Sequence, residues 1–282
     1  MDRIKNKIWL LINLARLDNP IGIFLLLFPC LLGIRIASDQ INLEIFTLFT
    51  LGAITMRSAG CIINDIVDRN LDRKTVRTKD RPLANEQLTL KEAYYFLLFL
   101  LIIGLLILIK LNQIVIILGL AIIPLIVLYP YMKRITYFPQ LFLGIIFNWG
   151  VLMGYASIKN TLDPEIFFLY AACIFWTIGY DTIYAHQDKK TDVKIGIKST
   201  AILFGKKTKL CLCMLYLLMI LNLVSTGIVF QLTSSFYLIT TVIFLHLMWQ
   251  IYTLEINDPK NCFSRFKSNQ WVGLAMLAAI IL

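Results

Sequence analysis

Two groups of polar and acidic side chains stand at the ends of apolar segments of this sequence. In the first group, Asn64, Asp68 and Asp72 recur every four residues. Side chains at that spacing lie on one face of a helix, where acids repel one another unless a cation lies between them. Oxygen ligands suit a hard cation such as Mg²⁺. The spacing therefore predicts that Asn64, Asp68 and Asp72 are metal ligands on a helix.

The second group repeats this pattern after a later apolar segment. Asp181, Asp188 and Asp192 are separated by seven and four residues, which predicts that they fall close to one helix face. Ionisable groups that begin inside an apolar helix are costly and are usually functional. We expect Asp188 and Asp192 to complete the metal site.

Basic residues follow each acidic group. A metal held by acids, together with lysines and arginines, is suited to a diphosphate, because these cations neutralise the charge that develops on such a leaving group. The candidates for binding the diphosphate are Arg73, Lys74, Arg134, Lys194 and Lys198.

The elements that position these residues are predicted to be membrane helices. The chain has 282 residues, 59% hydrophobic and 16% charged, whereas soluble domains carry roughly 25% charged residues. Eight apolar runs are near the ~20 residues that a helix needs to cross a bilayer, whereas the ninth, at 13 residues and about 20 Å, is too short to span fully. The nine runs are 20–38, 44–64, 93–110, 113–132, 138–158, 165–185, 210–230, 235–254 and 270–282.

The distribution of lysine and arginine supports nine spans. With that count, 23 of the 27 basic residues lie on one side of the membrane and three on the other. The positive-inside rule makes the rich side cytoplasmic, with the N-terminus and both acidic groups. Topology thus explains the net charge of +10, and no nucleic-acid partner is expected. The N-terminal segment lacks the pattern of a signal or transit peptide, which favours a bacterial inner membrane.

The two acidic groups resemble the motifs of a known family. Asn64-Asp65-x-x-Asp68-x-x-x-Asp72 is similar to the first motif of the UbiA superfamily of intramembrane prenyltransferases, and Asp181-x-x-Tyr184-Ala185-x-x-Asp188-x-x-x-Asp192 to the second. The segments 16–22, 77–83, 129–134 and 192–201 resemble the 4-hydroxybenzoate polyprenyltransferase branch in particular. The resemblance covers nearly the whole chain.

The resemblance implies an all-α bundle of nine transmembrane helices around a central cavity, formed as one domain over residues 1–282. It implies Mg²⁺ as cofactor, with a polyprenyl diphosphate and 4-hydroxybenzoate as substrates of ubiquinone biosynthesis. The prenyl tail is expected to lie in an apolar part of the cavity that opens sideways to the lipid bilayer. No obligatory protein partner is expected.

The same resemblance suggests roles for further residues. Tyr184 is a candidate to stabilise an allylic cation through its π face. Either Asp181 or Asp65 is the candidate base that removes the ring proton. Either Arg16 or Arg57 is the candidate partner of the acceptor carboxylate, and the sequence does not decide between them.

Two alternatives remain open at this point. The acceptor of a related branch, such as a naphthoate, homogentisate, haem or chlorophyllide, would use the same acidic motifs. Acids within membrane segments also occur in secondary transporters, which place them near the membrane midplane. The acids of this chain lie at the ends of its predicted second and sixth spans instead.

Overall fold

A computed structural model describes the backbone of residues 2–40 and 42–282 and the side chains from residue 7 onward, except residue 41. Within those ranges every regular element is helical. The helices are α1 (Asp2–Leu14), α2 (Ile21–Ala37), α3 (Leu43–Asp72), α4 (Leu90–Leu108), α5 (Gln113–Ala121), α6 (Ile123–Ile135), α7 (Pro139–Lys159), α8 (Ile166–Ala185), α9 (Lys189–Ile195), α10 (Thr200–Phe204), α11 (Thr208–Val229), α12 (Ser234–Tyr252) and α13 (Pro259–Ile281), with a 3₁₀ turn at Gly205–Lys207.

The predicted class, an all-α membrane bundle, is confirmed. Seven helical segments of the described chain are long and apolar enough to cross a membrane, with α5 and α6 together forming one of them. The predicted total of nine depends on two more helices, α2 and α13. The first is apolar but has only 17 residues.

The last helix is longer than its apolar run. The prediction placed a short segment at 270–282, but α13 begins at Pro259 and has 23 residues, which makes it about 35 Å long. Its first half is polar because it packs against neighbouring helices through hydrogen bonds. The Trp176 Nε1–H donates to Asn269 Oδ1 at 2.9 Å, and Gln250 Nε2 donates to Ser268 Oγ at 2.9 Å.

The core of the bundle lies between α2 and α7, which pack closely, and it extends through α8 to α11. Glycines allow the first two helices to touch. A Cβ atom at Gly33 would lie 2.1 Å from the Val151 carbonyl oxygen, and one at Gly154 would lie 2.3 Å from the Cys30 carbonyl oxygen. Such contacts are impossible for any larger residue without moving a backbone.

The third helix carries the first acidic group to the membrane surface. It has 30 residues and is therefore about 45 Å long, which exceeds the ~30 Å hydrocarbon core. The segment after it, 73–89, folds back over the end of the bundle and leads into α4, which begins with a capping box between Thr89 and Glu92. This returning segment supplies several of the cations described below.

Candidate active site

Both acidic groups line one cavity of about 790 Å³. Its walls come from helices α2 to α9 and from α13, and the charged side chains gather at one end. Since α3 and α8 both end there, the two groups lie on the same side of the bundle, as the topology predicts. The acidic residues of the wall, together with Asn64, are Asp65, Asp68, Asp72, Asp181, Asp188 and Asp192.

On α3, two carboxylates share an arginine. Asp65 is buried and accepts two hydrogen bonds from Arg16 Nη2, at 2.6 and 2.9 Å. Arg81 Nη1 lies between Asp65 and Asp72, at 3.0 and 2.9 Å from their oxygens. Two guanidinium groups thus compensate the charge of Asp65.

Asp68, one turn further along α3 than Asn64, is fully buried. Its carboxylate accepts a hydrogen bond from the ammonium group of Lys133, at the end of α6. Arg134 lies 3.4 Å from its other oxygen and donates to the Val67 carbonyl at 3.0 Å. A buried carboxylate needs such a partner, because an uncompensated charge in a low-dielectric environment is very costly.

The second acidic group does not lie on one continuous helix, so this part of the prediction is wrong. Helix α8 ends at Ala185, and a turn precedes α9, whose N-cap is Asp188. The turn nevertheless brings Asp188 and Asp192 to the cavity that Asp181 reaches from α8. Burial and the neighbouring charge of Asp188 raise the pKa of Asp192 to about 7. An additional cation between the two carboxylates would relieve this repulsion.

Arg77 connects the returning segment to the second group. Its guanidinium donates to both oxygens of Asp188 at 2.5–3.1 Å and to the Tyr184 hydroxyl at 2.9 Å. The same guanidinium lies 5.2 Å from the centre of the Tyr184 ring. Tyr184 thus faces the cavity beside a cation.

Arg57 and Asp181 line the cavity at a deeper level. Arg57 lies against the Phe147 ring, with its guanidinium carbon 5.2 Å from the ring centre. Its Nε is buried and has no hydrogen-bond partner. Gly22 leaves the space for this side chain, since a Cβ there would lie 2.4 Å from Nε. A buried donor without a partner is rare, which makes this nitrogen a candidate binding group.

The donor atoms of the acidic groups fit a hard divalent cation, although they do not form a closed cage. Within the described part of the chain, no three His, Cys, Asp or Glu side chains already converge on one point. Mg²⁺ does not require such a cage, because it is usually held by one or two carboxylates together with water and substrate phosphate oxygens. The carboxylates here are paired with the protein's own cations.

None of the five predicted diphosphate-binding residues lines the cavity. Arg73 donates to the Ala84 carbonyl and pairs with Glu86, and Lys198 donates to the Ile135 carbonyl at 3.0 Å. The five predicted residues that do not line the cavity are Arg73, Lys74, Arg134, Lys194 and Lys198.

Three other cations line the cavity in their place: Arg77, Arg81 and Lys133. Their positions follow from the path of the chain. Arg77 and Arg81 belong to the returning segment, and Lys133 lies on the inner side of α6, next to Arg134. The four-residue spacing of Arg77 and Arg81 was the only sequence signal that they act together, but spacing alone does not predict how an irregular segment folds.

The other end of the cavity is apolar and opens sideways. Several side chains of its wall are also exposed on the outside of the bundle, where lipid would surround them. These are Leu101 and Leu105 on α4, Leu120 on α5, and Ile123 and Val127 on α6. Helix α4 packs along α3 but has almost no contact with α6, so the opening lies between α4 and α6.

The fold and the site together define a membrane-embedded helical protein with an acid-lined cavity that is open to lipid. The model of the UbiA prenyltransferase family matches residues 26–277. The chain belongs to the UbiA prenyltransferase family.

Sequence relatives agree with this assignment. The chain is 43% identical over its full length to "4-hydroxybenzoate polyprenyltransferase, mitochondrial" from Dictyostelium discoideum and spans 62% of that protein. It is 46% identical over 96% of its length to the protein of the same name from Aedes aegypti, and again spans 62% of it.

Solved structures share the fold. An apo UbiA homolog from Aeropyrum pernix K1 superimposes with a TM-score of 0.80 at 23% identity, over 92% of this chain and 96% of that one. A UbiA homolog from Archaeoglobus fulgidus, solved with GPP and Mg²⁺ bound, gives a TM-score of 0.73 at 17% identity, over 96% of this chain and 99% of that one.

The predicted localisation, a bacterial inner membrane, is contradicted by these relatives. They are eukaryotic proteins whose names place them in mitochondria. The prediction came from the N-terminal sequence of this chain, which carries no information about a longer precursor.

Proposed function

We propose that this chain transfers a polyprenyl group from a polyprenyl diphosphate to the ring carbon ortho to the hydroxyl of 4-hydroxybenzoate, in ubiquinone biosynthesis. The observation that carries the proposal is the single cavity with two unlike ends. One end has carboxylates and cations suited to a metal diphosphate, and the other is apolar and open to lipid. The names of relatives that are 43% and 46% identical to the chain over the aligned residues support this acceptor.

The donor diphosphate would bind at the charged end. We assign its binding to Arg77, Arg81 and Lys133, because these cations line the cavity. Each is held by a carboxylate that would otherwise repel the phosphates. Arg134 contacts Asp68 from outside the cavity and would support Lys133. The assignment replaces Arg73, Lys74, Lys194 and Lys198 as direct ligands.

The cation is proposed to be Mg²⁺, held by Asn64, Asp68 and Asp72 on α3 and by Asp188 and Asp192 beyond α8. When bound, it would neutralise the charge that develops on the departing diphosphate. Its ligands must exchange their present ion pairs for the metal, which frees Lys133 and Arg77 to contact phosphate oxygens. The same residues would thus serve as counterions of the carboxylates before the substrate binds and as diphosphate ligands afterwards.

Arg57 is the better candidate of the two arginines for binding the acceptor carboxylate. Arg16 already donates through Nη2 to Asp65 and through Nη1 to the Asn13 carbonyl, whereas the buried Nε of Arg57 has no partner. Phe147 lies against the guanidinium and would hold it in the cavity wall. A carboxylate would satisfy Nε and one Nη through a bidentate pair.

Asp181 is the better candidate for the base. Asp65 accepts hydrogen bonds from two guanidinium groups, whereas Asp181 lines the cavity and interacts with Arg57 and Arg77 only through their charge. With the acceptor carboxylate on Arg57, the ring would lie between Asp181 and Tyr184. Tyr184 would stabilise positive charge on the allylic carbon through its π face.

The proposed reaction breaks the allylic carbon–oxygen bond and releases diphosphate with both electrons of that bond. The ring carbon ortho to the hydroxyl then forms the new carbon–carbon bond. Asp181 accepts the proton that leaves this carbon, which restores the aromatic ring. All of these steps take place within one domain, residues 1–282.

The test is a transfer assay with the intact protein in membranes. Radiolabelled 4-hydroxybenzoate, a polyprenyl diphosphate and Mg²⁺ are incubated together, and the label that enters the organic phase is measured. Transfer of label supports the proposal. No transfer to 4-hydroxybenzoate, with transfer to a naphthoate or homogentisate, would refute this acceptor while leaving the family assignment intact.

A further inference from the structure

The apolar half of the cavity contains two places where a long side chain rests on a glycine of a facing helix. A Cβ atom on Gly104 of α4 would lie 2.7 Å from Met56 Sδ of α3. A Cβ atom on Gly119 of α5 would lie 2.7 Å from Leu108 Cδ1 of α4. All four residues line the cavity.

These two contacts lie at successive depths. Met56 precedes Asp68 by twelve residues on α3, so the two lie roughly 18 Å apart along the helix axis. Leu108 follows Gly104 by one turn of α4, and is therefore roughly 6 Å deeper. The diphosphate would bind at the carboxylates. The distance of each contact from the carboxylates therefore corresponds to a position along a bound tail.

An isoprene unit contributes four bonds to the length of the tail, which correspond to roughly 5 Å when it is extended. A tail of two units therefore ends before Met56, a tail of three to four units reaches it, and a longer tail must pass it. The glycines leave room for Met56 and Leu108 to lie back against the wall. A larger residue at either glycine would push the facing side chain into the cavity.

We propose, on the basis of the function assigned above, that Met56 and Leu108, each lying on a facing glycine, set how long a prenyl tail the cavity accepts. Met56 with Gly104 is the first limit and Leu108 with Gly119 the second. Methionine suits the first position because its unbranched thioether adapts to different neighbours. The tail runs along the apolar part of the cavity and passes both contacts.

The alternative path leaves the cavity earlier, through the opening between α4 and α6. A tail on that path would not pass Met56, and its length would not depend on either glycine. The two paths therefore differ in a measurable way.

The experiment compares the binding of two unreactive donor analogues, the S-thiolodiphosphates of two and six isoprene units, in the presence of Mg²⁺. Binding does not require the acceptor, so the measurement is independent of the acceptor assignment. The variants are Gly104→Ala, Gly119→Ala, Met56→Ala and the double variant Gly104→Ala with Met56→Ala. The control is Leu106→Ala, which truncates an exposed residue of α4 outside the cavity wall.

We expect Gly104→Ala and Gly119→Ala to weaken binding of the six-unit analogue by at least tenfold relative to the two-unit analogue. Adding Met56→Ala to Gly104→Ala should restore the wild-type ratio of the two affinities. This would show that the weaker binding in Gly104→Ala is not caused by misfolding. Leu106→Ala should leave the ratio unchanged.

An unchanged ratio in both glycine variants would overturn the proposal and favour the path between α4 and α6. The double variant failing to restore the ratio would also overturn it. If the wild type binds both analogues with this pattern but does not prenylate 4-hydroxybenzoate, the acceptor assignment fails and this inference stands. If the wild type binds neither analogue, both fail.

Discussion

The guanidinium of Arg77 holds the carboxylate of Asp188 although 111 residues separate them in the chain. Its Nη2 lies 2.5 Å from Oδ2, and its Nε donates to both oxygens. The contact fixes the segment that returns from α3 against the turn that follows α8. A cation of the protein itself therefore fixes the position of the second acidic group relative to the first.

The Arg77 contact leads to the first prediction. Arg77→Gln should raise the KM for the donor diphosphate by about 10- to 100-fold, because a charge-assisted contact contributes roughly 1.5–3 kcal/mol. Arg77→Lys should restore little of this, since lysine lacks the planar fork. Lys79→Gln removes one charge from an exposed position of the same segment and should leave the KM unchanged. Equal effects of both changes would mean that only the overall charge matters.

The second prediction concerns the acceptor. Arg57→Gln should raise the KM for 4-hydroxybenzoate by about 10- to 100-fold, with a much smaller effect on the KM for the donor. Arg35→Gln is the matched control, because Arg35 pairs with Asp39 at the opposite end of α2. A larger rise in the donor KM than in the acceptor KM would assign Arg57 to the diphosphate instead.

The third prediction concerns Asp68 and Asp188, the two carboxylates that would exchange a basic partner for the metal. Asp68→Asn and Asp188→Asn should each lower kcat/KM by at least 100-fold, since each removes a proposed metal ligand. Asp80→Asn makes the same isosteric change at an exposed position of the returning segment, so this variant should retain activity. Transfer assays on equal amounts of folded protein measure this, and full activity of either variant contradicts the ligand assignment.

Chelation provides the fourth prediction. EDTA should abolish transfer, and added Mg²⁺ should restore it, because the proposed metal ligands are all oxygen atoms. Zn²⁺ at equal concentration should restore less, since it prefers histidine and cysteine ligands. Transfer that persists in excess EDTA would show that the arginines and Lys133 neutralise the diphosphate unaided.

The fifth prediction tests the packing of α2 on α7. Gly154→Ala should destabilise the protein by about 1–3 kcal/mol, because its Cβ would meet the Cys30 backbone rather than a side chain that can move. Gly60→Ala is the control, since a Cβ there meets nothing within 4 Å. Thermal unfolding in detergent should separate the two variants, and equal stability would argue that α2 can shift away from α7.

The sequence was sufficient to predict the parts of the structure that follow from local rules. The apolar runs predict the helices because each backbone group must be satisfied within its own helix inside a bilayer. The spacing of Asn64, Asp68 and Asp72 predicts their common face, because it lies within one helix. The polar half of α13 was missed because its side chains bond to other helices, which no local pattern reveals.

The cations of the site could not be predicted in the same way. Arg73, Lys74, Arg77 and Arg81 are close in sequence, but only the last two line the cavity. Which of them turn inward depends on how the returning segment folds against α8. Likewise, the turn at residues 186–188 depends on tertiary packing, so the second acidic group was assigned to a continuous helix.

The opening between α4 and α6 has a consequence for how the rate depends on concentration. A donor that enters from the bilayer is supplied from two dimensions, so its effective concentration is its mole fraction in the lipid. Adding inert lipid at a constant amount of donor therefore slows the reaction, although the bulk concentration of donor is unchanged. In the proposed reaction the acceptor is supplied from water and is not diluted in this way, so the rate would depend on the aqueous volume for one substrate and on the membrane area for the other.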